Sequence, residues 1–181
     1  LFFLAEHPFS GAGGIYSDPV TIEKDLTIDV NGRTINPAEE DIFTVEDGAV
    51  LTLKGNGQIK GKITVSKGGS LRIEGPLQLE QINHEGETLE LNAAMDKLAV
   101  VLSETSYITV GDNFDCSELK ISLPDDVLTA MNAEQGAVED IVLVKGADET
   151  FLSGLLDKIT VVGLKNQLVQ IQQKEKSLIL H

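Results

Sequence analysis

Residues 43–81 state one pattern twice. FTVEDGAVLTLKGNGQIKG is followed, after Lys62, by the near-copy ITVSKGGSLRIEGPLQLEQ. Phe43 falls on Ile63, Val45 on Val65, Gly48 on Gly68, Leu51 on Leu71, Leu53 on Ile73, Gly55 on Gly75 and Ile59 on Leu79, always at a shift of 20 (43 to 63, 59 to 79). Apolar residues alternate within each short run, which is the period of a strand with one face inward. Glycines close the runs, as turns require. Such a unit cannot bury its apolar face alone, but stacked on copies of itself it makes a continuous core. The expected fold is all-β, a β-solenoid with coils of about 20 residues.

The flanking chain follows the same design more loosely. After the glycine-rich stretch 11–14 come VTIE, LTIDV, the turn Asn31-Gly32 and RTIN, with Leu26 and Ile28 matching Leu51 and Leu53 at a shift of 25. On the other side Gly86, Leu89 and Leu91 match Gly68, Leu71 and Ile73 at a shift of 18. Length changes therefore fall in turns while strand spacing holds. In this register outward charges form ladders about 4.8 Å apart. One reads Asp29, Lys54, Glu74; others place Arg72 beside Glu90, Asp47 beside Lys67 and Lys60 beside Glu80. Opposite signs as neighbours support the register, since they were not used to choose it.

Beyond Met95 the repeat dissolves, but strand-like runs continue: LAVVL, YITV, LKISL, IVLVKG, KITVVG, QLVQIQQ and SLIL. DDVLTAMNAEQG from Asp125 reads as a short helix or an excursion loop, and DETFLSGLL from Asp148 is open in the same way. No linker-like composition break occurs. The expectation is one domain over 1–181, with an N-terminal cap at 1–19, regular coils at 20–96 and less regular later coils at 97–181. The first residue is Leu1 rather than Met, as in an excised or processed piece.

Composition narrows the partners. The chain carries 14 basic and 29 acidic residues, a formal charge of −15, which opposes binding to nucleic acid and to anionic membrane surfaces. No run approaches the roughly 18 apolar residues of a bilayer span. Aromatics total 4% with no Trp, which leaves few flat rings for stacking sugars or bases. A single cysteine, Cys116, rules out an internal disulfide and a Cys-X-X-Cys site, and reads as a small buried apolar group.

GGIYSDPVTIEKDLTIDVNGRTI, FTVEDGAVLTLKGNGQIKG and ITVSKGGSLRIEG resemble bacterial secreted and cell-surface right-handed parallel β-helix proteins of pectate-lyase-like, adhesin type, which implies a right-handed parallel β-helix (β-solenoid) here. IVLVKG before KITVVGL, with a closing strand SLIL, is similar to their later coils. The resemblance covers most of the chain, and its motifs specify a coil rather than a reaction. It implies an extracellular location, secreted or attached to a cell surface, often as one segment of a longer chain. It also implies glycans or host and cell-wall components as partners. Lyases resembling this fold hold Ca²⁺ with acidic residues and abstract a proton with Arg or Lys.

Candidates for such chemistry are few. Glu23 and Asp25 should stack near Glu46 and Asp47, with Glu85 further along, and these are the metal candidates. Crowded carboxylates would hold a divalent cation, Ca²⁺ being the cofactor in view. The competing reading is a solvated turn, with Lys24 and Lys67 relieving the repulsion. Arg72 is already matched with Glu90, and Arg33 follows a turn, so no clear base stands nearby. GDNFDCSE offers Asp112, Asn113, Asp115 and Glu118, but departs from the D-x-[DN]-x-[DN]-G loop. GNGQIKGK fails as a phosphate loop, because Ile63 stands where Ser or Thr is needed after Lys62. His7, His84 and His181 lack zinc spacing, and no G-x-S-x-G elbow exists. His84, beside Asn83 and Glu85, is expected on the surface at a turn. His84 and Tyr107 are the ligand candidates, with Tyr16 and Phe114 as further rings for glycan stacking, although each of the three rings is more often a cap or core residue. No catalytic residue is assigned. The preferred expectation is a non-enzymatic extracellular spacer or adhesin-like surface, and the alternative is a polysaccharide-binding or polysaccharide-cleaving β-helix domain.

Overall fold

A computed structural model describes residues 15–16, 19–37, 40–133, 139–146 and 148–181. The chain is a β-solenoid of stacked parallel strands. In order, it forms β1 (Ile15–Tyr16), β2 (Val20–Ile22), β3 (Leu26–Asp29), β4 (Arg33–Pro37), β5 (Asp41–Val45) and β6 (Val50–Lys54). There follow β7 (Gly57–Val65), β8 (Ser70–Ile73), β9 (Leu77–His84), β10 (Thr88–Leu91), β11 (Lys97–Leu102), β12 (Ile108–Val110) and β13 (Glu118–Ser122). Helix α1 (Asp125–Asn132), β14 (Ile141–Gly146), helix α2 (Glu149–Leu155), β15 (Ile159–Val161), β16 (Ile171–Lys174) and β17 (Ser177–Leu180) complete it.

The expected register holds residue by residue. One sheet stacks β3, β6, β8, β10, β12 and β14, so that Leu26, Leu51, Leu71, Leu89, Ile108 and Val144 form one interior column. Ile28, Leu53, Ile73, Leu91 and Val110 form the next. The second sheet carries Val20, Phe43, Ile63, Ile82, Val100, Ile121 and Val161 in a third column. Its long strands β7 and β9 change register between Ile59 and Lys62, which lets β7 pair with β4 at one end and β5 at the other. Turn glycines repeat with the coils: Gly48 and Gly68 both hold a left-handed backbone (φ +75° and +83°), and the Gly48 N–H donates to the Gly68 carbonyl at 3.1 Å.

Both ambiguous segments are helical. Asp148 caps α2 by accepting from the Thr150 and Phe151 N–H groups at 2.7 and 3.1 Å. Leu152, fully buried, fills the space left by Gly146, which ends the Ile28 column. Helix α1 has Asp125 and Asp126 in its first turn, where they complement the helix dipole, and buries Met131. The expected terminal glycine, Gly136, lies outside the described residues.

The end of the chain departs from expectation. QLVQIQQ and SLIL were expected as strands of later coils. They form an antiparallel hairpin instead, in which β17 also pairs antiparallel with β14. Only Glu175 and Lys176 separate the two strands, and a parallel return needs a dozen or more residues. Of the expected cap at 1–19, residues 1–14, 17 and 18 lie outside the described residues. Ile15 and Tyr16 already pair in parallel with Asn36 and Pro37, so they belong to the stack.

Candidate functional surface

The four acidic metal candidates lie on successive turns, but local structure uses two of them. The Asp25 carboxylate accepts from the Val50 N–H at 3.1 Å and so starts β6. The Asp47 carboxylate lies directly over Gly68, where any Cβ would collide with it. Glu46 follows the Ile22–Val45 pair, and its N–H donates to the Ile22 carbonyl, which sets it level with Glu23. Ser66 and then Glu85 continue that column, so a hydroxyl interrupts the row of carboxylates. Among the described residues no three His, Cys, Asp or Glu side chains come together as a metal-holding group.

The charge ladders are realised in part. Arg72 pairs with Glu90 at 3.1 Å, as expected. Asp29 stands opposite Lys54 in register, but its carboxylate accepts from the Asn31 N–H at 3.1 Å. Glu80 accepts from the Gly61 N–H at 2.7 Å rather than pairing with Lys60. A pair not anticipated joins Asp41 to Lys62 at 3.1 Å, with Thr64 Oγ1 donating to the same carboxylate.

Two carboxylates of the second acidic loop meet lysines. Asp115 pairs with Lys158 at 2.6 Å, and Glu118 with Lys120 at 3.3 Å. Asn113 donates from its backbone and side chain to Asn92 Oδ1. The hydrogen bond from Lys158, and then its charge, hold the Asp115 carboxyl below the usual range. A depressed carboxyl contributes stability above its ordinary value of 3.8, lost as pH falls through the lowered one. Lys158→Ala should return the Asp115 midpoint, followed by carboxyl NMR, to the ordinary range; an unmoved midpoint would mean that the pair is not formed in solution.

The ligand candidates divide. Tyr107 is half-buried, and Lys145 Nζ sits 3.8 Å from its ring centroid, so a cation already occupies one ring face. Phe114 is buried, the core reading of this ring rather than the stacking one. The side chain of Tyr16 and all of His7 lie outside the described residues. His181 Nδ1 meets Asp140 at 2.6 Å, and with Lys174 at 3.0 Å it lowers the Asp140 carboxyl.

His84 corrects the expectation of a surface residue at a turn. It is the last residue of β9 and is fully buried. The reason is strand parity. Ile63 falls on Ile82, so Val65 must fall on His84 and point inward with it. That signal was present in the sequence, because QINH aligns with KITV at a shift of 19 (63 to 82).

No family model matches the chain, and neither curated proteins nor solved structures give a significant match. No helix among the described residues is long and apolar enough to cross a membrane.

Proposed function

We propose that this chain is a non-enzymatic extracellular module, a rigid spacer or adhesion surface, of the pectate-lyase-like, adhesin-type β-helix kind that its repeats resemble. One observation supports the reading above the others. Six outward charged groups of the coils, Asp25, Asp41, Lys62, Arg72, Glu80 and Glu90, are engaged with a neighbouring coil, and no group of three or more His, Cys, Asp or Glu side chains placed to hold a metal occurs among the described residues. Glycans or cell-wall components would meet such a surface by adhesion, outside the cell, without a bound cofactor.

A spacer must hold a fixed length. Thr27, Thr52, Arg72, Glu90 and Thr109 stand in one outward row, four strand steps long. Their ends should be about 19 Å apart along the stack. Spin labels on Thr27→Cys and Thr109→Cys, in a Cys116→Ala background, should give one narrow distance peak once label length is included. A broad distribution would overturn the spacer. In parallel, the protein is screened against neutral and acidic polysaccharides for binding and cleavage, with and without Ca²⁺. Binding alone supports an adhesion surface, and silence supports a pure spacer. Cleavage of any substrate overturns the non-enzymatic reading in favour of a polysaccharide-active domain.

A further inference from the structure

One interior column of the second sheet is interrupted. Ile22, Val45, Val65, His84 and Leu102 stack in register, and all five are buried. Neither Nδ1 nor Nε2 of His84 has a hydrogen-bond partner, and neither reaches solvent. A neutral imidazole always presents one donor and one acceptor, so both are left unsatisfied here. A protonated one would place a charge among aliphatic side chains, at far greater cost. Burial is the cause that pushes the His84 pKa down from 6.5 to about 4.

The surroundings offer that charge no partner inside. The inward residues of β5, β7 and β11 beside it are Phe43, Ile63 and Val100 as well as the column itself, and the inward columns of the first sheet are aliphatic. Titratable groups on the same three strands, Asp41, Lys60, Lys62 and Lys97, lie on the solvent side. The turns that follow these strands and β9 carry Glu46, Asp47, Glu85, Glu87 and Glu104 against Lys67. An imidazolium is therefore excluded within the stack and favoured just outside it.

We propose that His84 is an acid-operated release in the solenoid: on protonation the imidazole leaves the interior through the 85–87 turn, and the coil bearing β9 parts locally from β7 and β11. Opening undoes the ladder pairing of Ile82, Asn83 and His84 with Ile63, Thr64 and Val65 on one side and with Val100, Val101 and Leu102 on the other. Outside the strands it breaks Glu85 N–H to the Val65 carbonyl at 2.9 Å, Glu87 N–H to the Gly69 carbonyl at 2.9 Å, Ser103 N–H to the His84 carbonyl at 3.1 Å and Ser106 Oγ to the Gly86 carbonyl at 3.4 Å. The sign follows from linkage. The open form titrates near the ordinary 6.5 and the closed form near 4, so between those values the open form holds one more proton. Opening gains about tenfold for each unit the pH falls in that window, and no pH dependence remains above it.

Hydrogen exchange of the full chain at pH 7.0, 6.0 and 5.0, corrected for intrinsic rates, tests this. The expected result is a loss of protection at residues 82–87 and 100–103, close to tenfold per pH unit below 6.5, with Leu51 and Leu53 unchanged. His84→Leu, which fills the column with an aliphatic, should abolish the local effect. Should that variant misfold, His84→Val reproduces the side chain of the coil below. Uniform loss of protection across all coils in the wild-type chain overturns the proposal. So does a constant opening equilibrium at 82–87, or the same local slope in the folded aliphatic variant.

Discussion

Gly75→Ala is expected to destabilise the protein by on the order of 3 kcal/mol, at the upper end for overpacking by a single methyl group. Gly75 does not hold a left-handed backbone, so the effect is not conformational strain at its own residue. A Cβ there would run into the Gly55 carbonyl oxygen of the coil below and lie 2.7 Å from the Gly55 carbonyl carbon. Both obstacles are backbone, and neither can rotate aside. The strands would have to separate beyond their normal spacing of about 4.8 Å, loosening the hydrogen bonds beside them. Gly154→Ala in α2 makes the contrast, because nothing lies within 4 Å of its added methyl. There alanine should stabilise by about 0.8 kcal/mol through helix propensity. Urea titrations followed by circular dichroism measure both. Equal stability of Gly75→Ala and wild type would mean that Gly55 and Gly75 are not superposed in solution.

Leu71→Ala should cost about 3 kcal/mol or somewhat more. Leu71 is fully buried and rests between Leu51 and Leu89. Truncation removes contacts to both, and the flanking backbone ladders restrain the column from closing over the gap. In a stack each coil meets only its neighbours, so the damage should stay local. Hydrogen exchange should quicken at Leu51, Leu71 and Leu89, while Leu178 in β17 keeps its protection. A loss below about 1 kcal/mol, or loss of protection spread evenly to β17, would contradict the column as described.

The register was legible because each column repeats one residue class, with the spacing inside each strand kept and length changes confined to turns. Leu51 on Leu71 and Leu53 on Ile73 follow from letters alone, and Arg72 beside Glu90 confirmed the neighbouring coil independently. His84 was missed although its position was encoded, since a histidine near a turn suggests solvent and only parity through Ile82 places it inside. The local roles of Asp25 and Asp47 were hidden for a different reason. Charge is visible in a sequence, but whether a carboxylate faces solvent or lies against another coil depends on that coil's backbone, here the Val50 N–H for Asp25 and the bare Cα of Gly68 for Asp47. The hairpin of β16 and β17 was obscured because each run is a sound strand, and only the two-residue spacing between them dictates direction.

The strict superposition of Gly55 and Gly75, with Phe43 under Ile63, has a consequence for how molecules of this design change size. A cut-and-paste of one whole period would carry every interior side chain onto an equivalent seat. Growth or shrinkage by that quantum leaves the joint chemistry intact and alters reach by about 4.8 Å. A change by a single residue within a strand would turn leucines outward and charges inward. Reach in this architecture is therefore a digital property, set by how many identical tiers are piled up.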